Sequence, residues 1–261
     1  MGDGMRVKHI GIFGFVAGLG LMTANAALAA ETFESQHIGI TIGGLSSQGS
    51  DARTTGTPAF LALGATVIPK DLSMEEQAII ASLAYGFDTK LSDHWVVGAE
   101  IDASYSNLDQ KKTFSGAPIA GLAPTGLKTS ASEKLDYMAT LRGRVGFMPN
   151  DNTLFYLTGG LAAGHFEAKA DVGVNGSPTL AWSGKDVGAK VGWTVGAGVE
   201  YAVSESLSLK GEALYYDLGD ISVTAKGNAA VRGVAALNGV DYAYKTDLKG
   251  MIARIGLNYR F

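Results

Sequence analysis

Apolar and polar residues alternate along much of the chain, with the period-two spacing of a β-strand that has one apolar face. From Trp95 to Tyr105 the odd positions are Trp, Val, Ala, Ile, Ala and Tyr, whereas the even positions are Val, Gly, Glu, Asp and Ser. Eight segments of this kind are predicted as strands, at about 36–45, 78–88, 94–106, 134–147, 154–166, 189–203, 206–218 and 247–261. Each has the length that a tilted strand needs to cross a bilayer, about ten residues.

The connections between these strands alternate between long and short. The long ones are predicted as external loops at about 46–77, 107–133, 167–188 and 219–246, and the others contain only a few residues. This alternation is typical of an up-and-down barrel with short periplasmic turns and longer external loops. We therefore predict an all-β fold for residues 30–261, an eight-stranded antiparallel up-and-down transmembrane β-barrel.

The first 29 residues are predicted to be a secretory signal peptide. Arg6 and Lys8 precede an apolar run from Ile10 to Leu21, and the small residues Ala27 and Ala29 then provide a cleavage site. An uncleaved membrane anchor is the alternative, but the apolar run is short for a membrane span.

The two faces of the predicted strands differ in their chemistry. Aromatic residues near the strand ends predict a membrane girdle at each interface: Trp95, Phe147, Phe155, Trp193, Tyr201 and Tyr259. The polar face carries charges that we assign to the lumen: Glu100, Asp102, Asp136, Arg142, Arg144, Lys190, Glu200, Lys210, Glu212 and Arg254. The apolar face is nearly free of charge, as contact with lipid requires, so we favour a membrane barrel over a soluble lipocalin-like barrel.

These lumen charges leave two interpretations open. An eight-stranded barrel is only wide enough for its own side chains, so a network of ion pairs that plugs the lumen is favoured. The alternative is a narrow, low-conductance porin for small solutes, in which Glu100, Asp102, Arg142 and Arg144 would line and shape the pore.

Composition excludes several classes of function. The chain has no Cys, which excludes a disulfide framework, a thiolate zinc site and a cysteine nucleophile. Its net charge of −4 argues against a nucleic-acid binder. His37, His94 and His165 lie on different predicted strand ends, so we predict no metal site, no cofactor and no enzyme activity. A haem ligand at His165, or a catalytic dyad with Glu167, is a minor alternative.

Several motifs point to one family. They are Gly-Ala-Glu-Ile-Asp at 98–102, Leu-Arg-Gly-Arg-Val-Gly at 141–146, Thr-Gly-Gly-Leu-Ala at 158–162 and Trp-Thr-Val-Gly-Ala-Gly-Val-Glu-Tyr at 193–201. The last strand ends with Leu257, Tyr259 and Phe261 at alternate positions. Together these features resemble the porin-like, opacity-type outer-membrane β-barrel family of small bacterial surface antigens.

The resemblance implies a location and partners. It implies Sec-type export to the bacterial outer membrane, a lipid bilayer around the barrel, and assembly machinery that reads Leu257, Tyr259 and Phe261 as a signal. It implies a non-catalytic structural envelope protein or surface antigen with external recognition loops. An adhesin or haemin-binding receptor for a host or extracellular ligand is the remaining alternative. Trp182, Tyr242 and Tyr244 are the candidate loop anchors, unless they pack within the loops.

Overall fold

A computed structural model describes residues 33–49, 53–56, 74–116, 118, 126–175, 177–235 and 238–261. The predicted signal peptide, 1–29, lies outside the described residues, as do parts of the predicted loops. The strands are β1 Gln36–Gly49, β2 Arg53–Gly56, β3 Met74–Ser92, β4 Trp95–Ser115, β5 Leu127–Asn150, β6 Thr153–Val174, β7 Ser177–Ala202, β8 Leu207–Gly227 and β9 Tyr242–Arg260. A short helix, α1 Ala229–Gly233, lies between β8 and β9. No helix in these residues is long and apolar enough to cross a membrane.

Eight of the strands form a closed ring. Each is antiparallel to its neighbours in the order β1, β3, β4, β5, β6, β7, β8, β9, and β9 pairs back to β1. The short β2 pairs with the part of β9 that lies beyond β1. Residues 93–94, 151–152 and 203–206 connect strands at the end where β1 begins and β9 finishes, which we call the turn end. This arrangement confirms the predicted eight-stranded antiparallel barrel.

The register around the ring sets the tilt of the strands. Hydrogen-bonded partners followed from Trp95 through every strand return to β4 at Tyr105, ten residues further along. A stagger of this size tilts the strands by about 35–45°. Ten residues along a strand with that tilt rise by about 25 Å.

Two levels of outward-facing aromatic side chains are separated by this rise. At the turn end the rings of Trp95 and Phe147 lie 5.5 Å apart. At the second level Tyr105 and Tyr137 lie 5.6 Å apart, and Trp193 and Tyr215 lie 5.4 Å apart. The spacing corresponds to the apolar band of a transmembrane barrel, about 25 Å tall. We call the part between the two levels the girdled section.

The strands continue well beyond the second aromatic level, and we call that part the extension. Residues 107–115, 127–133, 167–174, 177–188 and 219–227 are strand although the sequence pattern placed them in loops. These segments are rich in Gly, Ala, Ser and Thr, so the contrast between their two faces is weak in the sequence. Hydrogen bonds between strands form without large side chains, which is why the ladder persists there.

The polarity of the barrel reverses between its two parts. In the girdled section the apolar side chains face outward, and Ile40, Leu83 and Leu157 are 54%, 65% and 63% exposed. In the extension they face inward, where Phe166 and Trp182 are buried. The girdled section is therefore suited to lipid outside, and the extension is suited to water outside.

Two β-bulges at the second aromatic level help to reverse the faces. The register of β5 shifts between Leu135 and Tyr137, and that of β8 shifts between Asp217 and Asp220. Gly219, inside the second shift, has a φ of 79°, which glycine adopts without strain. One extra residue moves all later side chains to the opposite face.

Candidate functional site

The inward-facing charges of the girdled section form one connected network. Its acids are Asp88, Glu100, Asp102, Glu200 and Glu212, and its bases are Arg142, Arg144, Lys210, Arg254 and Arg260. None of these residues is more than 5% exposed. Five carboxylates therefore face five cations, and the network is neutral when His37 is neutral.

Arg142 of β5 occupies the centre of the network. Its Nη2 donates to Glu100 Oε1 at 2.5 Å and to Asp102 Oδ2 at 3.0 Å, both on the neighbouring β4. Its Nη1 donates across the lumen to Glu212 Oε2 of β8 at 2.8 Å. A single guanidinium thus joins opposite walls of the barrel, and the planar group is suited to such multiple contacts.

Two further cations complete this central layer. Arg254 Nη2 of β9 lies 2.6 Å from Glu212 Oε1 and 3.2 Å from Asp102 Oδ2. Lys210 Nζ of β8 donates to both carboxylate oxygens of Glu100 at 2.7 Å. Each acid of the central layer therefore has at least two cationic contacts.

A second group of charges lies nearer the turn end. Arg144 is paired with Asp88, and its Nη1 lies 3.3 Å from Glu200 Oε2. Arg260 is paired with the same Glu200. His37 connects the two groups, because its Nδ1 lies 3.4 Å from Asp88 Oδ2 and its Nε2 lies 3.3 Å from Glu100 Oε2.

Apolar layers close the lumen on both sides of the charges. At the turn end the layer consists of Phe33, Val96, Met148, Leu154, Tyr156 and Ala202. The Arg260 guanidinium lies 4.4 Å from the Phe33 ring centroid, and Tyr156 Oη donates to Glu212 at 3.0 Å. On the other side a larger apolar cluster, including Leu135, Phe166 and Leu218, fills the extension. The charges thus lie between two apolar layers and are themselves almost fully buried.

Two residues assigned to the lumen network by the sequence pattern lie elsewhere. Asp136 lies in the bulge of β5, so it does not continue the inward row of Met138, Thr140 and Arg142. Lys190 lies beyond Trp193 on β7, in the extension, and acts electrostatically on Asp220. The structure brings the other eight predicted residues together.

The predicted list of lumen charges lacks three residues that belong to the observed network: Asp88, His37 and Arg260. Asp88 is the last residue of the predicted strand 78–88 and was not assigned to the lumen, and His37 was considered only as a metal ligand. Both continue inward rows, with Gly86 before Asp88 on β3 and Gly39 after His37 on β1. The alternation of these two strands was therefore a usable signal. Arg260 continues the alternate row of Arg254 and Asn258 on β9, but its partners Asp88 and Glu200 depend on the ring register.

The other candidate residues occupy separate positions. His165 faces outward on β6, and His94 stacks on Phe147 at 6.0 Å. In the part of the chain that the structure describes, no group of His, Cys, Asp or Glu is arranged to hold a metal ion. Trp182, Tyr242 and Tyr244 are at most 1% exposed, so they pack inside the extension and are not surface anchors.

The remaining predicted residues face outward near the turn end. Phe155 and Tyr259 are 53% and 57% exposed, and Tyr201 is half-buried. Leu257, Tyr259 and Phe261 lie at the end of the chain, and the first two pair with Ile40 and Ile38 of β1. Their use as an assembly signal stays a prediction.

One buried acid lies in the extension. Glu133 of β5 is 2% exposed and accepts a hydrogen bond from Tyr244 Oη of β9 at 2.7 Å. Burial raises the pKa of Glu133 above its usual value; the hydrogen bond from Tyr244 opposes the rise, and the charge of Asp247 adds to it. No Lys or Arg among the described residues contributes to that pKa.

Comparison with known proteins decides the family. Residues 14–261 match the family described as outer membrane protein beta-barrel domain. The chain belongs to this outer-membrane β-barrel family. It is similar to the 31 kDa outer-membrane immunogenic protein of Brucella melitensis, with 30% identity over 190 residues, 73% of this chain and 69% of that protein. Barrels of this class have short periplasmic turns and longer external loops, so we infer that the turn end is periplasmic and the extension external.

The chain is also similar to solved structures of outer-membrane proteins. The outer membrane protein OprG from Pseudomonas aeruginosa has 16% identity and a TM-score of 0.46, covering 88% of this chain and 98% of that one. Neisserial surface protein A has 13% identity and a TM-score of 0.34, covering 87% and 97%.

Removing the central cation should destabilise this outer-membrane barrel strongly. Arg142→Ala would leave Glu100, Asp102 and Glu212 buried with fewer cations than carboxylates. Breaking a buried ion pair from one side costs about 3–5 kcal/mol in unfolding free energy. Urea unfolding of the folded protein in lipid vesicles, followed by tryptophan fluorescence, measures this loss.

Lys134→Ala is the matched control for that measurement. Its Nζ lies 2.8 Å from Asp109 Oδ2, in an ion pair on the surface of the extension. A pair exposed to water contributes little, so no measurable change is expected. Equal stability of the Arg142→Ala and Lys134→Ala proteins would contradict a tightly coupled network.

Burial of Glu133 in the extension predicts that the unfolding free energy depends on pH. The folded-state pKa of Glu133 is raised, so the folded protein binds this proton more tightly than the unfolded chain. The unfolding free energy should therefore fall as pH rises from about 4.5 through the folded pKa. The Glu133→Gln protein should not show this decline. At pH 8 it should resist protease digestion better than the wild-type protein. Parallel pH profiles of the two proteins would show that Glu133 is not buried as described.

Proposed function

We propose that the protein is a non-catalytic outer-membrane barrel with a closed lumen, which displays its β-stranded extension at the cell surface. The observation that carries the proposal is the neutral ion-pair network sealed between two apolar layers. A water-filled path through the barrel would require all three layers to rearrange.

The packing disfavours the porin alternative. Glu100 and Asp102 would line the pore, yet both contact Arg142 from the same wall. Arg142 also bridges the lumen to Glu212. Opening a pore would separate these pairs, and buried charges without partners cost several kcal/mol each. The same contacts that stabilise the barrel therefore oppose conduction.

The packing also disfavours catalysis in the lumen. A general acid or base needs access to its substrate, but the network carboxylates lie between the two apolar layers and already contact cations. This leaves the outward surface of the extension as the part available for interaction. The immunogenic character named for the Brucella relative supports exposure of such a surface.

Single-channel recording in planar bilayers tests the closed lumen. The wild-type protein, shown to be folded by its heat-modifiable gel migration, should insert without reproducible current steps. Discrete, salt-dependent openings would overturn the proposal. If Arg142→Ala and Arg144→Ala then altered their size, the narrow porin would replace it.

A further inference from the structure

Lysine side chains form a row on the outer surface of the extension. The strand register places Lys111 of β4, Ser132 of β5, Lys169 of β6 and Lys185 of β7 side by side. Their side chains face away from the lumen, and those of Lys169 and Lys185 are 40% and 52% exposed. The row therefore presents several cations in one direction.

The pairing of Lys169 with Lys185 does not stabilise the fold. The two residues are direct cross-strand partners, and like charges in that position are destabilising. Both contact one acid, since Lys169 Nζ lies 2.5 Å from Glu167 Oε1 and Lys185 Nζ lies 3.0 Å from Glu167 Oε2. These hydrogen bonds lower the pKa of Glu167 to about 2. One carboxylate thus neutralises only one of two lysines.

A groove of about 470 Å³ lies next to the lysine row, toward the tip of the extension. Its outward-facing lining residues are Lys128, Ser130, Asp171, Gly173, Ala181 and Ser183. Small side chains allow a ligand to approach the sheet closely, and Ser183 Oγ donates to Asp171 Oδ1 at 2.8 Å, which fixes that carboxylate. Hydroxyls, an acid and a lysine around an open groove are suited to a saccharide with anionic groups.

The height of the row above the membrane narrows the choice of ligand. Lys169 lies four residues beyond His165, which pairs with Tyr137 of the external aromatic level. Lys185 lies eight residues beyond Trp193 of the same level. Both lysines therefore lie at least about 10 Å above the external aromatic level. A phospholipid headgroup layer extends only about 5–8 Å from the hydrocarbon. A saccharide headgroup reaches the row, whereas a phospholipid phosphate does not.

We propose that this surface, the row Lys111, Lys169 and Lys185 together with the groove, binds phosphate and carboxylate groups on the saccharide headgroup of the outer-leaflet glycolipid. The lysines neutralise the anions, and the groove accommodates the adjoining sugar. The proposal depends on the outer-membrane placement but not on whether the lumen conducts.

Binding to purified lipopolysaccharide tests the proposal. Folded full-length protein in nonionic detergent is titrated with labelled lipopolysaccharide, and fluorescence anisotropy gives the dissociation constant. Lys169→Gln combined with Lys185→Gln should raise that constant about thirtyfold, since each lysine near an anionic surface contributes about 1 kcal/mol. Unchanged heat-modifiable migration shows that the variant is folded.

Lys245→Gln combined with Lys249→Gln is the matched control. These lysines lie on β9, outside the row and the groove, and pair with Asp220 and Asp247. The control should change the constant less than twofold. Equal losses in both double variants, or no loss in either, would overturn the proposal. So would equally tight binding of phosphatidylglycerol, which carries a phosphate but no saccharide.

Discussion

The charges inside the girdled section have to neutralise one another, because lipid surrounds the barrel and apolar layers close the lumen. Burial of an unpaired charge costs several kcal/mol, so five carboxylates and five cations are held in mutual contact. Arg142 is central to this neutralisation, since it contacts acids on both walls of the lumen. The strand register, the stagger of ten residues and the inward rows of β4, β5 and β8 bring these groups together.

The lipid around the barrel also explains why the polarity of its two faces reverses at the external aromatic level. Lipid ends there, so outward side chains become polar and the interior becomes apolar, as in a soluble protein. Bulges at Asp136 and at Gly219 help to exchange the faces without interrupting the sheet. The result is a closed membrane section that supports a rigid external surface, and the lysines and groove of β4–β7 lie on that surface.

Much of this arrangement was predictable from the sequence. Strict alternation placed Glu100, Arg142 and Glu212 on one face, and a barrel of eight strands required that face to point inward. Asp136 was placed wrongly, because a single bulged residue reverses the face and leaves no mark in the alternation. The extension was interpreted as loops, because Ala and Gly give little contrast between faces. The partners of Arg260 depend on the ring register, which a single strand does not encode.

Cysteine scanning along β6 tests the closed, charge-filled barrel most directly, and the natural chain has no cysteine to interfere. In lipid vesicles, Lys169→Cys and Asp171→Cys should react with a water-soluble maleimide. Leu157→Cys and Leu161→Cys, which face lipid, should not react with it, because a thiol in hydrocarbon stays protonated. Thr158→Cys and Ala162→Cys, which face the lumen, should not react with it either. Labelling of the two lumen positions by the water-soluble reagent would contradict the account, because it would show an open aqueous path through the barrel.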